Sequence, residues 1–222
     1  MGIRTFIYTT DNSKDTDTQK LLADDKQKLL ADALCLYLSS TPGKVVAEIL
    51  NIDKSKINEL DLSLEEGEHG KPFFANEELK NIHFSISHSG KYWAIAFAGS
   101  EIGLDIEDVL TRKHNIERYN KISERFFTHD EISYIQSFKN EQDATLAFFR
   151  IWTRKEAFLK FTGEGISRQL NEFSTLSGSR QTVIDDIIGL ETLLKTDEIV
   201  CSCCCENTEL QDASIEFVQK TY

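Results

Sequence analysis

Proline is scarce in this chain of 222 residues, which contains only 2 together with 11 glycines. These numbers exclude collagen-like and linker-dominated structures. Hydrophobic residues make up 40% of the chain, which excludes disorder and provides enough apolar material for a sizeable core. No apolar run approaches the roughly 18 residues that a membrane span needs, and no secretory signal pattern precedes the first strand-like segment. We therefore expect a soluble, cytoplasmic protein.

Basic residues are also in short supply, since 25 Lys and Arg stand against 37 Asp and Glu, for a net charge of −12. A surface of this charge repels phosphate backbones and acidic headgroups, so neither nucleic acid nor a membrane is an expected partner. Residues 112–168 differ, with eleven basic and eight acidic side chains. An anionic ligand is therefore expected near that segment.

The cysteines do not form a recognisable framework. Four of the five lie in residues 201–205, and neither paired spacing nor a zinc pattern connects them with Cys35. We predict reduced thiols in a buried strand, where cysteine behaves as a small apolar residue.

Apolar spacing divides the chain into strand-rich ends and a helical middle. It predicts helices at residues 18–38, 45–51, 117–127, 130–138 and 143–161. It predicts strands at residues 59–64, 83–87, 92–98, 102–107, 173–177, 198–205 and 214–219. The three close-set strands between residues 83 and 107 indicate an antiparallel meander with a buried middle strand. This order predicts an α+β fold of two lobes, at residues 1–108 and 109–222.

Two acidic residues alternate with apolar ones at residues 103–107, Gly-Leu-Asp-Ile-Glu. In a strand, Asp105 and Glu107 then share one face. Neighbouring carboxylates repel each other unless a cation lies between them, and Mg²⁺ prefers oxygen ligands. The alternative is an exposed acidic edge, and a third ligand would decide between them.

The helix around Trp152 offers such a ligand, because Trp152, Glu156 and Lys160 follow one helical stripe. The helix is apolar on nearly all sides, which indicates burial and requires partners for its charges. Glu156 and Lys160 would then form a cation and phosphate site. An ordinary surface ion pair is the alternative.

Two turn-like segments carry weaker signals. Ser87 and His88 end a strand, where hydroxyl, imidazole and backbone N–H groups can meet an anion. In the second segment, Gly70 allows another group to approach the backbone closely, Lys71 offers a positive charge, and Pro72 fixes the direction in which the chain leaves the turn. The alternative for each segment is a plain hairpin or turn, and a lone histidine at a strand end is more often a hairpin residue than a ligand.

Four segments follow one another in a set order: Gly-Lys-Pro at 70–72, Phe-Ser-Ile-Ser-His-Ser at 84–89, Gly-Leu-Asp-Ile-Glu at 103–107, and Trp-Thr-Arg-Lys-Glu-Ala-Phe-Leu-Lys-Phe-Thr-Gly at 152–163. Together they resemble the 4′-phosphopantetheinyl transferases of the surfactin-synthetase-activating (Sfp) type. The resemblance covers about a hundred residues. It implies a monomer of two similar lobes related by a pseudo-twofold axis, each a small, mainly antiparallel sheet packed with helices.

The resemblance also implies an activity: Mg²⁺-dependent transfer of the phosphopantetheine arm of coenzyme A to a serine of an apo acyl or peptidyl carrier protein, with release of 3′,5′-ADP. The implied metal ligands are Asp105, Glu107 and Glu156. The implied coenzyme A-binding residues are Gly70, Lys71, Pro72, Ser87, His88, Lys155 and Lys160. Lys160 would stabilise developing charge, and either a metal-bound water or a carboxylate, Glu156 or Glu131, would take the serine proton.

Two other interpretations stay open on the sequence. The same pocket can belong to a non-catalytic module that binds coenzyme A or a nucleotide, and the chain can be an acidic α+β interaction protein. Phe126 and Phe127 are equally compatible with a carrier-docking surface and with the core.

Overall fold

The computed structural model describes residues 3–9, 18–40, 60–67, 70–111, 116–165, 170–176, 181–184, 188–206 and 213–218. Within them lie four α-helices: α1 (Thr18–Ser40), α2 (Ile116–Phe126), α3 (His129–Gln136) and α4 (Glu141–Thr162). All four were predicted to within two residues at either end. The helix predicted at residues 45–51 lies outside the described part of the chain.

The strands of the described residues are β1 (Arg4–Thr9), β2 (Leu64–Glu66), β3 (Pro72–Phe74), β4 (His83–Ser89), β5 (Tyr92–Ala98), β6 (Ile102–Asp108), β7 (Gln181–Ile184), β8 (Ile188–Lys195), β9 (Ile199–Glu206) and β10 (Ser214–Val218). The first sheet has the order β10-β1-β5-β4, and the second has the order β6-β9-β8-β7. A two-stranded ribbon, β2-β3, completes the pattern. Apart from the parallel pair of β1 and β10, all pairing is antiparallel.

The predicted meander is wrong in one respect. β4 and β5 form the expected hairpin, but β6 leaves β5 and pairs with β9 in the second sheet. The free edge of β5 is taken by β1, a strand that the sequence analysis did not predict. The middle strand β5 is buried along its whole length, as predicted.

The predicted strand at residues 173–177 is not present over its described part, residues 173–176, which are irregular. A short 3₁₀ turn at Leu170–Glu172 precedes them. The strand predicted at 59–64 is displaced, since the described residues 60–63 are irregular and β2 begins at Leu64.

Helices and sheets stack in layers around separate apolar clusters. α1 packs Leu30, Leu34 and Tyr37 onto one face of the first sheet. The opposite face of that sheet packs against β6 and β9 of the second sheet. The other side of the second sheet receives α4, whose Ala157 and Phe158 contact Cys204. The fold is therefore α+β with small, mainly antiparallel sheets packed with helices, as predicted.

The cysteines of β9 behave as predicted. Cys201, Cys203, Cys204 and Cys205 are reduced thiols, outside any disulfide, with no exposed surface. Burial raises the pKa of Cys201 far above its usual value, so this thiol stays protonated. Their role is to fill the space between the sheets and α4.

Two strands cross the predicted division after residue 108. β6 lies before it yet belongs to the second sheet, while β10 returns from the end of the chain to the first sheet. The sheets therefore do not correspond one to one with residues 1–108 and 109–222, and the two lobes and their pseudo-twofold axis stay predictions. No helix of the described residues has the length and apolarity that a membrane crossing requires.

Candidate functional site

The edge strands β4 and β6 of the two sheets meet through serine side chains. Successive side chains of a strand point to opposite faces, so Ser85, Ser87 and Ser89 share one face of β4. Ser85 Oγ accepts a hydrogen bond from the backbone N–H of Leu104 at 2.9 Å, and Ser89 Oγ donates to Glu107 Oε2 at 2.6 Å. These hydroxyls replace a backbone ladder and fix β6 beside β4.

Asp105 is the centre of this contact. Ser87 Oγ donates a hydrogen bond to Asp105 Oδ1 at 2.8 Å, and the ammonium of Lys160 lies 2.8 Å from the same oxygen. Lys160 Nζ also donates to Ser87 Oγ at 2.9 Å. The other carboxylate oxygen, Asp105 Oδ2, is buried and has no hydrogen-bond partner among the described residues. A buried carboxylate oxygen without a donor is costly, which makes it a ready ligand for a cation.

Gly103 allows α4 to lie against β6. A Cβ atom at Gly103 would be 1.9 Å from the carbonyl oxygen of Ala157 and 2.4 Å from the backbone nitrogen of Phe161. No side chain fits into that space, so only glycine permits this approach. The approach brings Lys160, from the last turns of α4, to Asp105.

Glu156 faces the same carboxylates. Burial, reinforced by the negative charges of Asp105 and then Glu107, raises the pKa of Glu156 to about 7, while Lys160 acts in the opposite direction. The three carboxylates of the predicted metal site are therefore electrostatic neighbours. Their mutual repulsion is the condition that a bound cation relieves.

The described residues contain no compact group of three or more His, Cys, Asp or Glu side chains with the spacing of a metal site. Lys160 occupies the hydrogen-bonding position on Asp105 instead. The donor set nevertheless fits a hard divalent cation, because it consists of three carboxylates and includes the buried, unpartnered Asp105 Oδ2. Binding would require Lys160 and the carboxylates to rearrange.

A cavity of about 300 Å³ opens beside these groups. Its wall includes Glu156 and Lys160 of α4, the predicted turn Gly70, Lys71 and Pro72, and Gly163. Gly163 ends α4 in the left-handed conformation, with φ of 70°. The structure thus brings the first and last of the four sequence segments to one cavity.

Lys71 is held at the mouth of this cavity. Its ammonium lies 2.5 Å from Glu101 Oε2 and donates to the carbonyl oxygen of Phe161 at 3.2 Å. His83 Nδ1 lies 3.1 Å from the other oxygen of Glu101. These contacts, with that of His83 first, lower the pKa of Glu101 to about 2. Glu101 and His83 were not predicted, and neither has a local sequence signal.

His88 lies on the opposite face of β4 from Ser87. Its exposed ring stacks on Trp93 at a centroid distance of 4.7 Å and an interplanar angle of 15°. This position is away from Asp105 and the α4 carboxylate. The His88 side chain therefore lies on the surface of the first sheet and does not line the cavity beside Lys160.

Glu131 and Lys155 do not fit their expected roles. Both side chains have no exposed surface, and their charged atoms lie 2.9 Å apart. Lys155 Nζ also donates to the carbonyl oxygens of Leu170 and Phe173 at 2.6 and 2.9 Å. These contacts hold Lys155 in the interior and outside the lining of the cavity beside Lys160, and its expected contact with phosphate stays a prediction.

The carboxylate of Glu131 is fully used. Its Oε1 accepts from the backbone N–H and hydroxyl of Thr175 at 2.7 and 2.8 Å, and its Oε2 accepts from the backbone N–H of Thr128 at 2.9 Å. Together with Thr128 it forms the capping box of α3. Glu131 is therefore not placed to take a proton from a substrate serine.

Phe127 belongs to the core, with 3% of its surface exposed, and packs against Phe148 at 5.4 Å between ring centroids. Phe126 is partly buried and contacts Trp152 edge-on at 6.2 Å. The core interpretation is therefore correct for Phe127.

Sequence reasoning missed Ser85 and Ser89 as positioning residues. A signal was available, because serines alternate along residues 85–89 just as carboxylates alternate at Asp105 and Glu107. Two strands with matching two-residue periods can place every second side chain opposite its counterpart.

Comparison with known proteins identifies the family. The model of the 4′-phosphopantetheinyl transferase superfamily matches residues 101–211, which include both β6 and α4. The chain belongs to this superfamily.

Individual relatives agree with this assignment. The chain is 31% identical over 182 residues to the 4′-phosphopantetheinyl transferase gsp of Aneurinibacillus migulanus, covering 79% of this chain and 70% of the relative. It is 35% identical over 130 residues to the 4′-phosphopantetheinyl transferase Sfp of Bacillus subtilis, covering 59% and 52%. The matched segment thus spans about half the length of Sfp. These relatives support the Sfp type.

Proposed function

We propose that this protein transfers the 4′-phosphopantetheine arm of coenzyme A to a serine of an apo acyl or peptidyl carrier protein, in a reaction that depends on Mg²⁺ and releases 3′,5′-ADP. The names of the relatives, 4′-phosphopantetheinyl transferases, support the group that is transferred. The acceptor follows from the resemblance and the names of the relatives, whereas the metal rests on the carboxylates of the site.

One observation carries the proposal. Lys160 meets the carboxylates of Asp105 and Glu156 beside a cavity of about 300 Å³, and Lys71 is a second lysine in the lining of that cavity. Phosphoryl transfer is catalysed mainly by positioning and charge neutralisation, and these are the groups that it requires.

The anionic part of coenzyme A would bind between two lysines. Lys71 and Lys160 line the same cavity, and Gly70 and Pro72 shape the backbone around Lys71. An ammonium acts as a compact positive charge on phosphate oxygens. We propose that Ser87 orients Lys160 and that His88, presented with Trp93 on the first sheet, contacts a more distant part of coenzyme A.

Asp105, Glu107 and Glu156 would hold the cation. When bound, Mg²⁺ would neutralise the charge of the pyrophosphate and polarise its phosphoryl oxygens. Ser87 and Ser89 hold the first two carboxylates in place through hydrogen bonds of 2.8 and 2.6 Å.

In the transfer, the serine oxygen of the carrier forms a bond with the phosphorus next to pantetheine, and the bond from that phosphorus to the bridging oxygen breaks. 3′,5′-ADP leaves with the electron pair. Lys160 stabilises the charge that develops on the phosphate oxygens. Glu156, which lines the cavity, is the carboxylate that would accept the serine proton.

All the named groups come from a single chain, and we propose that a monomer acts on its own. The buried, reduced cysteines are those of a reducing compartment, in agreement with transfer in the cytoplasm. The carriers to be tried are those of fatty-acid, polyketide and nonribosomal-peptide synthesis, each of which presents a serine.

The experiment is intact-mass measurement of apo carrier proteins incubated with coenzyme A, Mg²⁺ and this protein. We expect one phosphopantetheine mass to be added, only when all components are present. Asp105→Asn removes a charge from the site and should abolish the gain, whereas Asp197→Asn, at an exposed position, should leave it intact.

Calorimetry separates the proposal from a pure binding module. Coenzyme A binding without any mass gain on several carriers would contradict the transfer and favour a non-catalytic module. Binding that Asp105→Asn and Glu156→Gln leave unchanged would remove this site from consideration altogether.

A further inference from the structure

The ammonium of Lys160 lies directly on a proposed metal ligand. It is 2.8 Å from Asp105 Oδ1 and 2.9 Å from Ser87 Oγ, which itself donates to the same carboxylate oxygen. The three groups form a closed triangle of hydrogen bonds. Lys160 therefore occupies one oxygen, Oδ1, of the carboxylate that would bind the cation.

The charges around this triangle do not balance. Asp105 and Glu107 are held side by side by β6, and Glu156 adds a third carboxylate. One lysine neutralises only one of these three acidic groups. Two negative charges remain, which is the charge that a divalent cation neutralises. The buried Asp105 Oδ2, which has no donor within the part of the chain that the structure describes, also favours a cation.

The side chain of Lys160 has room to turn, whereas that of Lys155, the other lysine of α4, is fully buried. The Lys160 side chain is 32% exposed and lines the cavity, and α4 ends shortly after this residue at Gly163. A lysine has a long, flexible stem and a charge that can turn towards any nearby anion. An anion in the cavity would therefore compete with Asp105 for this ammonium.

We propose that Lys160 is a placeholder cation, which occupies Asp105 in the unliganded protein and turns to the pyrophosphate of an incoming ligand, so that divalent cation and pyrophosphate bind cooperatively. This proposal rests on the function proposed above and adds its order of assembly. Cation alone must displace Lys160 and binds weakly. Pyrophosphate draws Lys160 away and strengthens cation binding, and by linkage the cation strengthens pyrophosphate binding equally.

The test measures Mn²⁺ binding, by the electron paramagnetic resonance signal of the free ion, to wild-type protein and to Lys160→Met. Without ligand, we expect the variant to bind Mn²⁺ at least about tenfold more tightly, which corresponds to about 1.4 kcal/mol. With coenzyme A, corrected for Mn²⁺ bound to coenzyme A alone, wild-type affinity should rise by a larger factor than that of the variant.

Two controls separate occupancy of Asp105 from a general loss of positive charge. Lys71→Met removes the other cavity lysine, which pairs with Glu101, and should change Mn²⁺ affinity by less than about twofold. The gain in Lys160→Met should also persist at about 0.5 M KCl, where charges separated by more than a few ångströms are screened. Lys160→Gln provides a second neutral variant if thermal melting shows that the methionine variant is unfolded.

Unchanged or weaker Mn²⁺ binding in folded Lys160→Met and Lys160→Gln, or no measurable binding in either, would overturn the placeholder role. An equal gain in Lys71→Met would overturn it too. Neither readout requires transfer. If the expected Mn²⁺ results appear but no carrier gains mass, the proposed transfer is rejected and the placeholder role is kept. If carriers gain mass but the Mn²⁺ results do not appear, only the placeholder role is rejected.

Discussion

Lys155 and Lys160 stand five residues apart on α4, and each forms an ion pair with an acidic residue from another element. The pair of Lys155 with Glu131 has no exposed surface on either side chain. In the pair of Lys160 with Asp105, the lysine is 32% exposed and lies beside a cavity. One pair is part of the core, and the other faces a ligand site.

The two ion pairs also differ in how completely their hydrogen-bonding groups are occupied. Every described contact of the Lys155–Glu131 pair is with the protein, including two carbonyl oxygens and the capping box of α3. Asp105, in contrast, keeps one buried oxygen to which no group of the described ranges donates a hydrogen bond. A fully satisfied ion pair stabilises one conformation, whereas a partly satisfied pair leaves capacity for a ligand.

The largest expected effect is on stability. Lys155→Met leaves the buried Glu131 without its cation, and we expect the free energy of unfolding to fall by about 3–5 kcal/mol. Denaturation by urea gives the value. The double variant with Glu131→Gln removes both charges and should recover part of the loss; no recovery would show that the pair is not the source of the destabilisation.

The second prediction concerns activity and tests the pair of Lys160 with Asp105. Lys160→Met removes a charge from the reaction site, and we expect the turnover number for phosphopantetheine transfer to fall about 100- to 1,000-fold. The melting temperature should change by only a few degrees, because Lys160 is partly exposed. Lys195→Met, at an exposed position, is the matched control. Full activity in Lys160→Met would contradict the assignment.

A third change separates α4 from β6. Gly103→Ala places a Cβ within 1.9 Å of a backbone oxygen of α4, and we expect a loss of about 1–3 kcal/mol in stability. Activity should fall as well, because Lys160 and Asp105 move apart. Gly67→Ala, whose Cβ would meet its nearest neighbour at 3.5 Å, is the control. Equal effects of the two substitutions would refute the close approach.

The smallest effect depends on pH. Burial and Asp105 raise the pKa of Glu156 from 4.5 to about 7, so the folded chain holds this proton more tightly than the unfolded chain does. Stability therefore decreases as the pH rises from about 4.5 to 7. Glu156→Gln removes this decrease and should raise the melting temperature at pH 8, in metal-free buffer, by up to about 10 °C, at about 2–4 °C per kcal/mol.

At pH 5, where Glu156 is protonated in the folded chain, the same substitution should have little effect. The same gain at both pH values would contradict the raised pKa. Adding Mg²⁺ at pH 8 should stabilise the wild type more than Glu156→Gln, because the variant lacks one of the proposed ligands.

Local patterns were sufficient for the helices. Apolar spacing and capping residues predicted all four described α-helices, and the alternation of residues 103–107 predicted that Asp105 and Glu107 share a face. These properties depend on neighbours in sequence. The buried strand of cysteines was predicted for the same reason.

Long-range pairing was not predictable in this way. β6 pairs with β9, about a hundred residues later, and β1 pairs with both β5 and β10. No local pattern distinguishes these partners from the adjacent strands. β7 and β8 were missed because their apolar residues do not alternate regularly.

The sequence did not show which charged residues of the predicted site reach the cavity. Lys155 and Glu156 are adjacent in sequence and carry opposite charges, yet only Glu156 reaches the cavity. Thr128, three residues before Glu131, was a signal for a capping box and against a free catalytic carboxylate. The burial of Lys155 depends on residues 170–173, which only the tertiary structure brings to it.

The most direct test is a crystal structure with coenzyme A and Mn²⁺, in which anomalous scattering locates the ion. We expect a peak among Asp105, Glu107 and Glu156, in contact with the pyrophosphate, and a Lys160 ammonium that has turned from Asp105 to a phosphate oxygen. A peak elsewhere, or coenzyme A bound while Lys160 still contacts Asp105 and no ion lies among the carboxylates, would contradict this expectation.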